Sequence, residues 1–150
     1  MNNLNLDDKS ILKAFCKNYK EWMEWTTVLF KDENNKTHKT IRNGCQLVCN
    51  FIKLNPILFI TGFYKQIYAR YKKYIDNGDF NFFAEKDYSW DIQDGTLVNA
   101  KKALETIHTI RKELDTFTDD VKTKWMKYVK TVSKLSLMYV IQKAQKISIK

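Results

Sequence analysis

Apolar residues along most of this chain recur at steps of three and four, the spacing of one face of an α-helix. The longest such run extends from Asp119 to Lys146. Its apolar face contains Val121, Trp125, Tyr128, Val132, Leu135 and Tyr139. Lysines occupy the other face, and no acidic residue follows Asp120. We expect a helix that buries an aromatic face and exposes a basic one.

The same spacing predicts a first helix from Asp7 or Asp8 to about Phe30, since either aspartate can cap its N-terminus. Its apolar face contains Leu12, Phe15, Tyr19, Trp22, Thr26 and Leu29. The polar segment 31–39 that follows, KDENNKTHK, predicts a loop.

A second helix is expected from Thr40 to Leu54 and a third from Pro56 to Ile75. Asn55-Pro56 favours a helix end followed by a new start, because the residue before proline disfavours the helical conformation and asparagine is a good N-cap. A single kinked helix is the alternative. The third helix should end at Asp76-Asn77-Gly78, and a fourth should run from Thr96 to about Phe117.

Residues 79–94, DFNFFAEKDYSWDIQD, follow neither the helical nor the strand period and combine acidic with aromatic side chains. We expect a loop that packs on the body of the protein or on a partner, because so much exposed ring surface is costly.

These elements predict an all-α fold, a single domain over residues 1–150 built as a bundle of about five helices. One proline and four glycines are too few for many hairpins, and 44% apolar residues suffice for a core. The apolar run CQLVCNFIKLNPILFITGF contains Lys53 and Pro56 and falls short of about 18 uninterrupted apolar residues, so no membrane span is expected.

The net charge is +9, and its placement is uneven. Residues 34–75 contain no acid, and neither does the chain after Asp120. Lysine faces suit contacts to phosphate, whereas reading of bases is mainly a property of arginine. We therefore expect a non-catalytic protein that binds an acidic partner, foremost nucleic acid with little sequence specificity. The candidate binding residues are Lys65, Arg70, Lys72, Lys73, Lys124, Lys127, Lys130 and Lys134.

Other interpretations stay open. The acidic segment 79–94 could lie across the basic helices and neutralise them, or the lysines could form an ordinary solvated face. Alternatively, the chain is a structural or protein–protein adaptor that binds its partner through aromatic residues of the predicted loop. Those candidates are Phe80, Phe82, Phe83 and Trp90.

No sequence motif indicates catalysis, a cofactor or a metal site. Cys16, Cys45 and Cys49 form no even-numbered disulfide framework, and the N-terminus is polar, so free thiols in an intracellular, reducing compartment are expected.

The segment 119–134, DDVKTKWMKYVKTVSK, resembles the C-terminal helix of small helical proteins of large nucleocytoplasmic DNA viruses. The matching positions are Asp119, Asp120, Val121, Trp125 and Tyr128. The resemblance implies a viral origin and a role in the host cytoplasm or the virion, and it brings no known activity.

Overall fold

The computed structural model describes residues 7–86 and 100–149, and every regular element in these two ranges is helical, which confirms the all-α prediction. Residues 7–86 and 100–149 form six helices, where about five were expected for the chain. Their bounds are α1 Asp8–Leu29, α2 Lys36–Leu54, α3 Pro56–Asp76, α4 Phe80–Glu85, α5 Ala100–Lys112 and α6 Asp119–Ile149. A single 3₁₀ turn, Leu114–Thr116, lies between α5 and α6.

The extra helix, α4, lies in the segment that was predicted to be a loop. Asp79 caps it, because its side chain accepts a hydrogen bond from the Phe82 amide at 3.0 Å. The prediction of a loop is therefore wrong for residues 80–85. The rest of that segment, and the predicted start of the fourth helix at Thr96, lie outside the described residues.

Side-chain caps account for most of the helix starts. Asp7 accepts from the Ser10 amide at 2.7 Å and opens α1 as predicted. In contrast, α2 begins at Lys36 and not at Thr40. Asn35 causes the difference, because its side chain accepts from the Thr37 amide at 2.9 Å and so caps the helix four residues earlier.

Asn55 makes a sharp bend between α2 and α3, which confirms two helices rather than one. Its backbone N–H donates to the Phe51 carbonyl at 2.9 Å, while its side-chain oxygen accepts from the Leu58 backbone N–H at 3.3 Å. The two helices are bent by 113° at this point. None of the described helices is by itself long and apolar enough to cross a membrane, although α2 and α3 together meet that criterion of length and composition.

Helix α3 is irregular in its second half. Residues Tyr64–Tyr68 form a π-helical turn, and Tyr71 has φ −120° and ψ 21°, outside the helical region. The helix ends in a Schellman motif, in which the Asp79 amide donates to the Tyr74 carbonyl at 2.9 Å and the Gly78 amide to the Ile75 carbonyl at 3.0 Å. Gly78 adopts φ 67°, the left-handed conformation that this motif requires.

The centre of the core lies where α1 and α6 pack against each other in antiparallel orientation. Trp22 and Trp125 meet edge to face at 5.5 Å near one end, while Lys143 pairs with Asp8 at 3.1 Å near the other. The buried face of α6 includes Val132 and Tyr139, as predicted, but it is rotated relative to the rest of the predicted face. Its most buried residues are Met126, Val129, Val132, Ser133, Ser136 and Tyr139. The predicted aromatic residues Trp125 and Tyr128 lie at the edge of that face, where they contact Trp22 and Trp25 of α1.

Helix α5 lies close to α2 at Gly44. A side chain at this position would collide with the Thr106 side chain, so the absence of a Cβ permits the contact. Next to this contact, α2, α3 and α5 enclose a mainly apolar cleft of about 590 Å³. Its lining includes Val48, Phe51, Phe63, Ile67, Ile107 and Ile110.

Candidate polyanion-binding surface

The packing of helix α6 determines which of its faces is buried and therefore which candidate lysines are exposed. Thr118 caps its N-terminus, accepting from the Val121 amide at 3.3 Å, and Asp119 and Asp120 complement the positive end of the helix dipole in its first turn. With the apolar face held against α1 and α3, the opposite face is left to solvent. Lys127 and Lys134 are exposed on it, two turns and about 10 Å apart along the helix axis.

The other two candidate lysines of α6, Lys124 and Lys130, lie on the flanks of this face. The Lys124 ammonium lies 5.2 Å above the Trp25 ring, a cation–π distance, and so faces α1. Lys130 is half-buried and faces the end of α3, where its Nζ would lie 3.2 Å from a Cβ placed on Gly78. A cation is favourable at that place because the helix dipole makes the C-terminus of α3 negative.

On α3, the candidate residue Lys72 is bonded to Asp76, whose carboxylate also lies near Lys134 of α6. The Lys72 ammonium donates to the Asp76 carboxylate at 2.7 Å, and the Tyr68 hydroxyl donates to the same carboxylate at 3.1 Å. The hydrogen bond from Lys72, supported by Lys134 on α6, holds the Asp76 pKa below its usual value. The same bond raises the Lys72 pKa. The two basic segments therefore meet around a carboxylate, which offsets the Lys72 charge.

Lys65, Arg70 and Lys73 are also exposed on α3. The Arg70 guanidinium donates to the Gln66 side chain at 3.2 Å. Arg70 lies two positions from Lys72, and residues so spaced on a helix do not share a face. The structure thus brings Lys72 to the α6 lysines and points Arg70 elsewhere.

We define the α6 basic face as Lys124, Lys127, Lys130 and Lys134. Within residues 7–86 and 100–149, none of these four ammonium groups lies within ion-pair distance of a carboxylate. Asp79, the first acid of the segment that could neutralise the lysines, caps α4. The acids Asp87, Asp91 and Asp94 lie outside the described residues.

The three phenylalanines proposed for partner binding are packed within the chain. Phe82 stacks on Tyr74 with ring centres 3.7 Å apart and an angle of 1° between the rings. Phe83 meets Tyr71 edge to face at 6.1 Å. Phe80 lies against Phe117, 6.0 Å away. All three phenylalanines are half-buried, and Trp90 lies outside the described residues.

The cysteines and His38 have structural surroundings. Cys16, Cys45 and Cys49 are free thiols, and burial raises the pKa of each. His38 packs against the Phe30 ring and lies 3.6 Å from the Glu113 carboxylate. In the part of the chain that the structure describes, no three His, Cys, Asp or Glu side chains are grouped closely enough to hold a metal ion.

Two features of the protein surface were missed by sequence reasoning. The neutralisation of Lys72 by Asp76 could have been anticipated, because the two residues are four positions apart on one helix. The second feature is the group of aliphatic side chains exposed at the α2–α3 bend. Its only sequence signal was the position of Leu54, Ile57 and Leu58 on either side of Asn55-Pro56.

Comparisons with known protein families, with curated protein sequences and with solved structures find no match for this chain. The resemblance of its last helix to viral helical proteins stays a prediction.

Proposed function

We propose that this chain is a non-catalytic binding protein whose α6 basic face engages the phosphates of nucleic acid with little sequence specificity. The observation that supports the proposal most is the exposure of Lys127 and Lys134 on a helix whose opposite face is fixed in the core. Their ammonium groups have no ion-pair partner among the described residues, so their charge is available to an anionic ligand.

The residue types decide the kind of recognition. A lysine ammonium is a flexible point charge that contacts phosphate without fixed geometry, whereas bidentate reading of guanine requires mainly arginine. The α6 basic face contains lysine alone. Binding through it should depend strongly on salt, because each phosphate contact releases a condensed counterion.

The adaptor function receives less support. Phe82 and Phe83 are used in ring contacts with Tyr74 and Tyr71. A partner that required those rings would have to displace contacts within the chain.

The test is the salt dependence of binding to double-stranded DNA of mixed sequence. We expect affinity to fall steeply between about 50 and 200 mM salt. The variant Lys127→Gln/Lys134→Gln should reduce the slope of log K against log salt by about 2, one per lysine lost. Circular dichroism should show unchanged helix content, since both side chains are exposed.

Lys36→Gln/Lys39→Gln is the matched control. It removes the same charge from two exposed lysines at the start of α2. If the control lowers the slope as much as the α6 variant, binding follows net charge and the α6 basic face is not the site. Absence of DNA binding at low salt would reject the function altogether.

A further inference from the structure

The bend between α2 and α3 exposes an aliphatic tip, which we define as Leu54, Ile57 and Leu58. Their exposed fractions are 86%, 51% and 46%. They are three of the five large hydrophobic residues that are exposed in the described chain, and they fall within five consecutive positions. Isolated exposed leucines are common on protein surfaces, but a contiguous group indicates an interaction site.

The tip is held rigidly. Asn55 bonds through its amide to Phe51 and through its side chain to Leu58, which fixes the angle between the helices. Just behind the tip, the Phe59 ring contacts Phe51 at 5.7 Å and Tyr19 at 5.0 Å. These contacts anchor the base of the bend to α1, so the aliphatic side chains project from an ordered support.

The surroundings of the tip are basic. Lys53 is exposed beside it. Helices α1 and α2 are antiparallel: Thr27 lies near Cys45, and both Glu24 and Lys20 lie near Cys49. Lys53 follows Cys49 by one helical turn on α2, so it lies opposite the part of α1 that carries Lys17.

Few acids near this end of the molecule offset those charges, and the nearest on α1 are Glu21 and Glu24, the second of which lies near Cys49. Residues 9–20 of α1 contain four lysines and no acid, and residues 34–75 contain eight basic residues and no acid. Asp8, which begins α1, pairs with Lys143 of α6 at 3.1 Å. The carboxylates of α1 lie further along, from Glu21 onward.

We infer that the aliphatic tip docks on an anionic lipid bilayer, with Leu54, Ile57 and Leu58 entering the interfacial region and Lys53 contacting headgroup phosphates. A bilayer interface offers an apolar phase directly beneath a layer of negative charge, which matches aliphatic side chains surrounded by lysines. The docking is peripheral and involves no spanning helix. It uses a different surface from the α6 basic face and a different ligand.

Other occupants fit the tip less well. Leu54 and Leu58 also line the apolar cleft between α2, α3 and α5. A stable protein interface buries roughly 1,200–2,000 Å² with close complementarity, more than the three side chains of the tip supply. A second copy of this chain would bring two basic ends together, at a cost in like-charge repulsion. Nucleic acid would satisfy the lysines but would leave the aliphatic side chains in water.

The experiment is co-sedimentation of the full chain with vesicles of phosphatidylcholine, with and without phosphatidylserine. We expect binding to the vesicles that contain phosphatidylserine and little binding to phosphatidylcholine alone. The variant Leu54→Gln/Leu58→Gln should weaken partitioning by roughly 25-fold, about fivefold for each partly inserted leucine. It should leave helix content unchanged, because both side chains are exposed.

Val28→Gln is the control, since Val28 is 62% exposed but lies toward the other end of α1. It should bind vesicles as the wild type does. Failure of the wild type to bind phosphatidylserine vesicles, or equal binding by the tip variant and the wild type, would overturn the inference. So would a wild-type dimer that the tip variant converts to monomer, because that outcome assigns the tip to self-association.

Each of the two proposals can be refuted without refuting the other. The tip variant should retain its affinity for DNA, because the α6 basic face is untouched. Loss of DNA binding in the tip variant, together with unchanged vesicle binding, would show that the tip contacts nucleic acid and not lipid.

Discussion

Two glycines, one inside α3 and one just past its C-terminus, should respond in opposite directions to the same substitution. Gly78 has φ 67° at the end of the helix, whereas Gly62 lies inside the helix, and a Cβ placed on it would meet no atom within 4 Å. An L-residue in the left-handed conformation costs about 1–2 kcal/mol. Alanine inside a helix is more favourable than glycine by about 0.5–1 kcal/mol. Gly78→Ala should therefore destabilise the protein, and Gly62→Ala should stabilise it.

The expected difference between the two variants is about 1.5–3 kcal/mol in the free energy of unfolding. The Lys130 ammonium, at 3.2 Å from the new Cβ of Gly78→Ala, is the end of a flexible side chain and should move aside at little further cost. Gly78→Asn is a useful third variant because asparagine tolerates the left-handed conformation, so its loss should be smaller.

Urea unfolding followed by circular dichroism measures these free energies. Thermal unfolding provides a second estimate, at about 2–4 °C for each kcal/mol in a chain of this size. Gly78→Ala with wild-type or higher stability would refute the Schellman motif at the end of α3. A destabilised Gly62→Ala would show instead that the space beside α3 is filled.

Two further predictions concern buried polar groups. The Ser133 hydroxyl is fully buried and has no hydrogen-bond partner among the described residues, whereas Ser136 donates to the Ser133 carbonyl at 2.7 Å. Ser133→Ala should therefore raise the free energy of unfolding by about 0.5–1 kcal/mol in urea titrations, and an equal gain from Ser136→Ala would contradict this explanation. Burial raises the Cys45 pKa from 9.0 to about 11, so the unfolded chain loses the thiol proton first, and stability should fall as the pH rises from 9 through 11. The loss of stability should reach about 2 kcal/mol at pH 11. Urea titrations between pH 9 and 11 should show a smaller decrease in stability for Cys45→Ala than for the wild type. Parallel curves for the two proteins would exclude the thiol as the cause.

Local signals in the sequence were enough to predict most helix ends. Asp7 and Asn55 cap helices as their positions indicated, and Gly78 ends α3. Two caps were overlooked, those of Asn35 and Asp79, and both errors assigned helical residues to a loop.

The features that depend on tertiary packing were harder to predict. The helical period identified Trp125 and Tyr128 as the buried face of α6, but contact with both α1 and α3 rotates the core toward Val129 and Ser133. The hydrophobic period of a single helix does not show how many other helices pack against that helix. The candidate lysines were predicted correctly as exposed, apart from Lys130, which is half-buried.

The π turn at Tyr64–Tyr68 is the form that a regular helix takes when it accepts one additional residue without displacing the segments on either side. Up to the turn, α3 follows one angular phase, and beyond it the remaining side chains are shifted by a fraction of a turn. Removal of one residue from this turn would restore regular geometry but rotate Tyr71, Tyr74 and Ile75 away from their present neighbours. The orientation of the end of the helix toward α4 and α6 thus depends on the number of residues in the turn, independently of their chemistry.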